Sequence, residues 1–238
     1  MDIKKLNEAL TTYIRPGTFP LAVKLCKADA ELPAKAKRPA RDLGYQVALC
    51  QALGLARRYR WTVVVGNDDQ CCLGGAATMG FPVELPEGSA APPMPKEKML
   101  VTGEFKYMVA APLEAADFEP GLVVIYCDPA QANRLVQGIS MGTGKAAEAF
   151  APGFAGCGDI IARTYRMGDC LFVLPGGGDR AFGSTQDHEV CVTIIGSKID
   201  AVTKGIEDSH KMGFRYPVLT DIRHRPALAP FLEIPKRA

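Results

Sequence analysis

Eight cysteines in 238 residues are the side chains here best suited to chemistry: Cys26, Cys50, Cys71, Cys72, Cys127, Cys157, Cys170 and Cys191. Thiolates favour zinc, copper(I) or iron–sulfur clusters, and four of them can hold a cluster. No C-x-x-C pair and no ferredoxin-type spacing occurs, so a ligand set has to be assembled by the fold. Cys50 and Cys157 each lie in a helical stretch ahead of two similar segments, Ala56-Arg57-Arg58-Tyr59-Arg60-Trp61 and Ala162-Arg163-Thr164-Tyr165-Arg166-Met167. Packing of such related halves about a pseudo-twofold axis turns both thiols toward one shared site. The vicinal pair Cys71-Cys72 enters the loop Leu73-Gly74-Gly75-Ala76, where absent side chains permit close approach of a cofactor. Adjacent cysteines do not readily close a relaxed disulfide. The expected metal ligands are Cys50, Cys72, Cys157 and, as the fourth, Cys127. Buried free thiols are the competing interpretation, and Cys191, inside the apolar run 190–195, is read that way.

A second chemical segment is Pro175-Gly176-Gly177-Gly178-Asp179-Arg180-Ala181-Phe182-Gly183-Ser184. It follows a strand-like run, and its backbone N–H groups suit an anion-binding nest. It is neither a Walker A motif nor G-x-G-x-x-G, so it implies no nucleotide. Arg180 has the geometry to grip a carboxylate or phosphate. The expected anion- or ligand-binding residues are Gly74, Gly75, Gly177, Gly178, Asp179 and Arg180; a tight turn fixed by Asp179 and Arg180 accounts for the second group equally well. Gln186-Asp187-His188-Glu189 places a histidine between carboxylates, suited to base or metal chemistry, but a surface turn before a strand is the favoured reading. Arg57 and Arg163 read as solvated faces or structural pairs.

The elements around these residues follow from periodicity. Residues 2–14 carry Ile3, Leu6, Leu10 and Ile14 at helical spacing. Strands are expected at 21–26, 61–65, 105–111, 122–127, 171–174 and 189–195. Helices are expected from Asp42 as cap to about residue 60, at 75–79, at 129–138 behind Asp128 with Pro129 in first position, at 158–166 and at 198–212. Strands alternating with helices give an α/β fold, or a mixed α+β one. The matched segments define an internal repeat over about 20–80 and 121–184, so the fold expected is two related half-domains packed as one globular unit over 1–238. A proline-rich connector spans 81–98, and the tail 216–238 is irregular.

Composition narrows the class. Hydrophobic residues make up 47% and charged residues 23%, with net charge +2; this is a globular composition, not a disordered one. The balanced charge gives no reason to expect nucleic acid or an anionic membrane, and the basic stretch 35–41 lacks aromatics for base stacking. The first residues carry no apolar signal core, and no apolar run reaches the 18 residues of a membrane span. A cytoplasmic location follows as the expectation, and thiols there stay reduced.

Several landmarks taken together look familiar: Pro20-Leu21-Ala22-Val23-Lys24, Cys72-Leu73-Gly74-Gly75-Ala76, Tyr126-Cys127-Asp128-Pro129-Ala130-Gln131, Cys157, and Gly178-Asp179-Arg180-Ala181-Phe182-Gly183. The chain resembles, over roughly residues 5–215, the prokaryotic family catalogued as domain of unknown function 169. Cys72 falls at the family's cysteine position and Cys71 is extra. The resemblance implies a prokaryotic cytosolic protein, frequent in archaea and anaerobic bacteria, and carries no activity with it. The function expected is a cysteine-ligated metal or iron–sulfur protein with a redox role in anaerobic metabolism. The alternative is a metal-free module that binds or senses a small anion between the two halves. Thiol redox chemistry at Cys71-Cys72 is a third.

Overall fold

The computed structural model describes residues 1–83, 95–151 and 153–218. Helix α1 (Ile3–Tyr13) begins where the Asp2 carboxylate accepts the Lys5 N–H, and it buries Leu6, Ala9 and Leu10 on one face. Strand β1 (Leu21–Cys26) follows, then α2 (Leu49–Tyr59), β2 (Val63–Gly66), α3 (Leu73–Thr78), β3 (Tyr107–Pro112) and β4 (Leu122–Cys127). Helix α4 (Pro129–Thr143) has Asp128 as cap: its carboxylate accepts the Gln131 N–H while the Gln131 side chain accepts the Asp128 N–H. After it come β5 (Glu148–Phe150), α5 (Gly156–Gly158), α6 (Thr164–Met167), β6 (Leu171–Val173), α7 (Gly177–Ala181), β7 (Val190–Ile195) and α8 (Ile199–Lys211).

The fold is mixed α/β. Its seven strands form one sheet in the order β2-β3-β1-β4-β7-β6-β5. Every pairing is antiparallel except β5 with β6. From the central β1–β4 pair outward, the order reads β1, β3, β2 on one side and β4, β7, β6 on the other. Ala22 faces Val123 at the centre, flanked by Leu21 on Val124 and Val23 on Leu122.

Both faces of the sheet are covered. Alternate side chains point to opposite faces, so Leu21, Val23, Leu122, Val124 and Tyr126 join α2 and the 157–162 segment in one core cluster. Ala22, Val123, Ile125 and Cys127 pack with α1, α4 and α8 in the other. On that second face α4 and α8 meet backbone to backbone. A Cβ on Gly205 would lie 2.0 Å from the Gly138 carbonyl oxygen, and one on Gly142 would lie 2.0 Å from that of Ala201. Gly205→Ala should therefore destabilise by about 1–3 kcal/mol through overpacking, although alanine is the better helix former. Urea unfolding measures this, and a variant at least as stable as the wild type would contradict the contact.

Three expected elements differ. The helix expected from Asp42 to about residue 60 begins only at Leu49. Residues 39–43 form a separate π-helical turn that stops at Gly44, whose φ is +78°. Asp42 accepts the Arg38 N–H, closing that turn, and Val47 gives its N–H to the Asp69 carbonyl, which holds the chain extended. The helix expected at 158–166 is interrupted by a π-helical turn over Asp159–Arg163. The glycine-rich segment expected as a turn winds into the short helix α7. Strand β5 has no apolar pattern to mark it: it is three residues long and mostly exposed. The expectations for the tail fall almost wholly outside the described residues, as does most of the connector. Among the described residues no helix is long and apolar enough to cross a membrane.

Candidate functional site

A pocket of about 220 Å³ opens on the α2 face of the sheet. Cys50 enters it from the first turn of α2, Cys72 from the cap of α3 and Cys157 from the centre of α5. Gly74, Gly75, Gly178 and Asp179 complete much of the wall, and Phe154 and Phe182 flank the rim. Cys50 and Cys157 are buried, Cys72 is half-buried, and both phenylalanines are exposed. Residues separated by more than a hundred positions thus share one small, largely apolar space.

Glycine makes the assembly geometrically feasible at two places. A Cβ on Gly156 would stand 2.5 Å from Asp179 Oδ2, and one on Gly158 would stand 2.5 Å from the Thr78 methyl. The sequence Gly156-Cys157-Gly158 therefore lets α5 press against α7 on one side and α3 on the other. That flanking pattern is the signal the sequence offered for a tightly held thiol. The roles of Phe154, Ala155, Gly156 and Phe182 in the wall had no comparable signal. Lys98 steadies the rim: its ammonium donates to the Phe154 carbonyl at 2.6 Å and pairs with buried Asp159 at 2.7 Å.

The electrostatics are those of protonated thiols. Burial, reinforced by the Asp179 charge, pushes the Cys50 thiol up to about 12, and the same causes push Cys157 well above the ordinary thiol range. Cys50 donates its S–H to the Gly178 carbonyl at 3.3 Å. Such thiols are poor nucleophiles until a cation displaces their protons. Exposed Cys71 is also pushed up, by partial burial and then by its neighbour Cys72.

Asp179 is the least satisfied polar group of the pocket. Its Oδ2 accepts the Gly176 N–H at 2.9 Å, whereas Oδ1 is buried with no hydrogen-bond partner among the described residues. Burial raises its carboxyl pKa above the ordinary value, so the folded state holds the proton more tightly than the unfolded chain. Stability from this group therefore falls as pH rises through the shifted pKa, and the penalty is complete above it. Asp179→Asn removes the charge and should raise the apo-protein's melting temperature at pH 7. An unchanged or lower value would contradict the unsatisfied-carboxylate account.

The remaining expected residues lie elsewhere. Cys127 is buried on the opposite face of the sheet among α1, α4 and α8, with its thiol pushed up strongly by burial. Gly177 belongs to α7 but does not line the pocket. Arg180 turns away, donating to the Gln186 carbonyl and lying 4.0 Å from Asp187. His188 is exposed. Glu189, by contrast, is buried and grips Arg57 through two bonds of 2.8 and 3.0 Å, while the Arg57 guanidinium stacks 4.0 Å from the Tyr126 ring. Among the described residues, no three His, Cys, Asp or Glu side chains stand close enough together to hold a metal ion as placed.

Fold and site together define a mixed α/β protein with a thiol-lined pocket beside one face of its sheet. The chain belongs to the family catalogued as domain of unknown function 169, described as "Uncharacterised ArCR", whose model matches residues 9–205. An uncharacterized protein of Methanocaldococcus jannaschii is 28% identical over 209 residues, covering 79% of this chain and 86% of its own. No solved structure matches the chain significantly.

Proposed function

We propose that this chain is a cysteine-ligated metal or iron–sulfur protein of the cytoplasm, with a redox role in anaerobic metabolism. Cys50, Cys72 and Cys157 are the thiolate ligands on this reading, and Asp179 is the fourth donor. The observation that carries it is that three thiols distant in sequence line one pocket with a buried carboxylate oxygen that has no partner among the described residues. Soft thiolates with one carboxylate suit iron or zinc. A metal held there would supply Lewis-acid or electron-transfer chemistry, and each thiol that coordinated it would give up its proton. The apolar rim limits water at the site.

The internal duplication is part of the same proposal. It is supported by the matching order of strands outward from β1 and β4, and by the centred Ala22–Val123 pair. On that reading Cys50 and Cys157 are counterparts, brought to one pocket by the pseudo-twofold axis.

A metal-free module is the second reading, favoured by the spacing of the donors as placed. Its ligand is less readily an anion than the glycine-rich segments suggest, because Asp179 itself occupies the Gly176 N–H and Arg180 points elsewhere. Anaerobic purification with elemental analysis and a visible spectrum separates the two. Near-stoichiometric iron with sulfide and a broad charge-transfer band supports a cluster, and stoichiometric zinc supports a simple metal site. A folded, colourless, metal-free protein that takes up neither iron and sulfide nor zinc removes the metal reading.

A further inference from the structure

A second cleft, of about 500 Å³, lies between the end of α1, the 15–20 segment and the last turn of α2. Asn7, Thr11, Arg15, Thr18, Arg58 and Glu114 are among its lining residues, none of which belongs to the thiol pocket. Its charge is unbalanced. Arg15 has no carboxylate partner among the described residues, and its guanidinium makes one long bond, from Nε to the Thr12 carbonyl at 3.4 Å. Arg58 donates to the Ser184 carbonyl at 3.1 and 2.6 Å and, among the described residues, reaches only one carboxylate, Glu189 at 3.5 Å, which is already held by Arg57. Glu114, the one acid in the lining, is held by Arg60 at 2.7 Å.

The backbone presents this surplus rigidly. Arg15 has φ +58°, a left-handed conformation that helix ends ordinarily give to glycine. Gln131 of α4 fixes it there, donating to the Ile14 and Arg15 carbonyls at 3.2 and 2.5 Å. An exposed arginine with no carboxylate partner among the described residues, on a pinned and strained backbone, is the kind of feature found at ligand clamps. Two further donors are available. Thr18 Oγ1 accepts from Arg57 at 3.2 Å and so keeps its own proton to give, and the Asn7 side-chain amide also lines the cleft.

We propose that this cleft binds the oxyanion group of a small soluble metabolite, a carboxylate or a phosphate, with Arg15 as its bidentate clamp and Arg58, Thr18 and Asn7 as supporting donors. The site is independent of metal at the thiol pocket. Titration calorimetry on the full chain at low salt, with malonate and with inorganic phosphate, tests it and tells the two chemistries apart. Saturable binding of at least one is expected. Arg15→Gln should weaken it about tenfold or more, the loss expected for a charge-assisted bond, with the unfolding midpoint unchanged. Arg15→Lys should bind with intermediate strength, and Arg180→Gln should bind as wild type. Failure of both anions to saturate overturns the proposal. So does undiminished binding by Arg15→Gln, or weakening by Arg180→Gln in its place.

Discussion

Replacing Cys157 by serine is expected to lower bound iron or zinc at least tenfold, whereas Cys127→Ser is expected to keep the full content. The contrast follows from the sheet. Tyr126 and Cys127 are neighbours in β4, but only Tyr126 faces the α2 side; Cys127 packs with α1, α4 and α8. Cys50→Ser should behave like Cys157→Ser, and Asp179→Asn should lose metal while gaining apo stability, the opposite signs expected of a residue kept strained for function. The affinity should also depend on pH. With Cys50 pushed up to about 12 and Cys157 well above the ordinary thiol range, both thiols are protonated when the pocket is empty, so binding must expel protons. Affinity for zinc should then rise with pH by up to about tenfold per unit for each thiol deprotonated. Zinc titrations from pH 6 to 8 measure that slope. Equal metal content in the Cys157→Ser and Cys127→Ser proteins would remove the pocket as the metal site.

The other large effect is on stability. Arg57 is fully buried, and its pair with Glu189 ties α2 to the start of β7 across 132 residues. Removing one partner leaves an uncompensated buried charge, which costs about 3–5 kcal/mol. Glu189→Ala should fall in that range by urea unfolding, and Arg57→Ala somewhat below it, because Arg58 still lies 3.5 Å from Glu189. The double substitution Arg57→Met with Glu189→Leu should cost much less, because neither charge is then stranded. The pair also sets a pH dependence. Burial by itself raises the Glu189 carboxyl, but the bonds from Arg57 and the Gln186 N–H outweigh it, and the net pKa lies below the ordinary value. Its stabilisation is therefore full above the unfolded glutamate pKa and is lost as pH falls through the lower folded value. A loss under about 1 kcal/mol in the single variants would mean that the neighbourhood relaxes to admit water.

Much of this architecture is local and so can be read from residue order. Strands β1 and β4 match their expected bounds because each is a mainly apolar stretch that starts directly after Pro20 or Gly121. Helix α4 starts where Asp128, Pro129 and Gln131 require, since capping depends only on neighbours. Its end is less legible: the helix expected to finish at Gly138 instead packs that glycine on Ile206 of α8 and winds on to Gly144 at φ +71°. The similar segments that follow Cys50 and Cys157 also single these two thiols out in the sequence, and both line one pocket. Period-two alternation also tells that residues 126 and 127 face opposite ways. It does not tell which of the two faces receives α2, because that choice is made by helices packing from elsewhere in the chain. Tertiary structure alone therefore separated Cys127 from Cys50, Cys72 and Cys157, buried Arg57 against Glu189, and turned Arg180 away from the glycine-rich segment. In each case the deciding energy is burial or pairing between residues far apart in sequence, a quantity with no local signature.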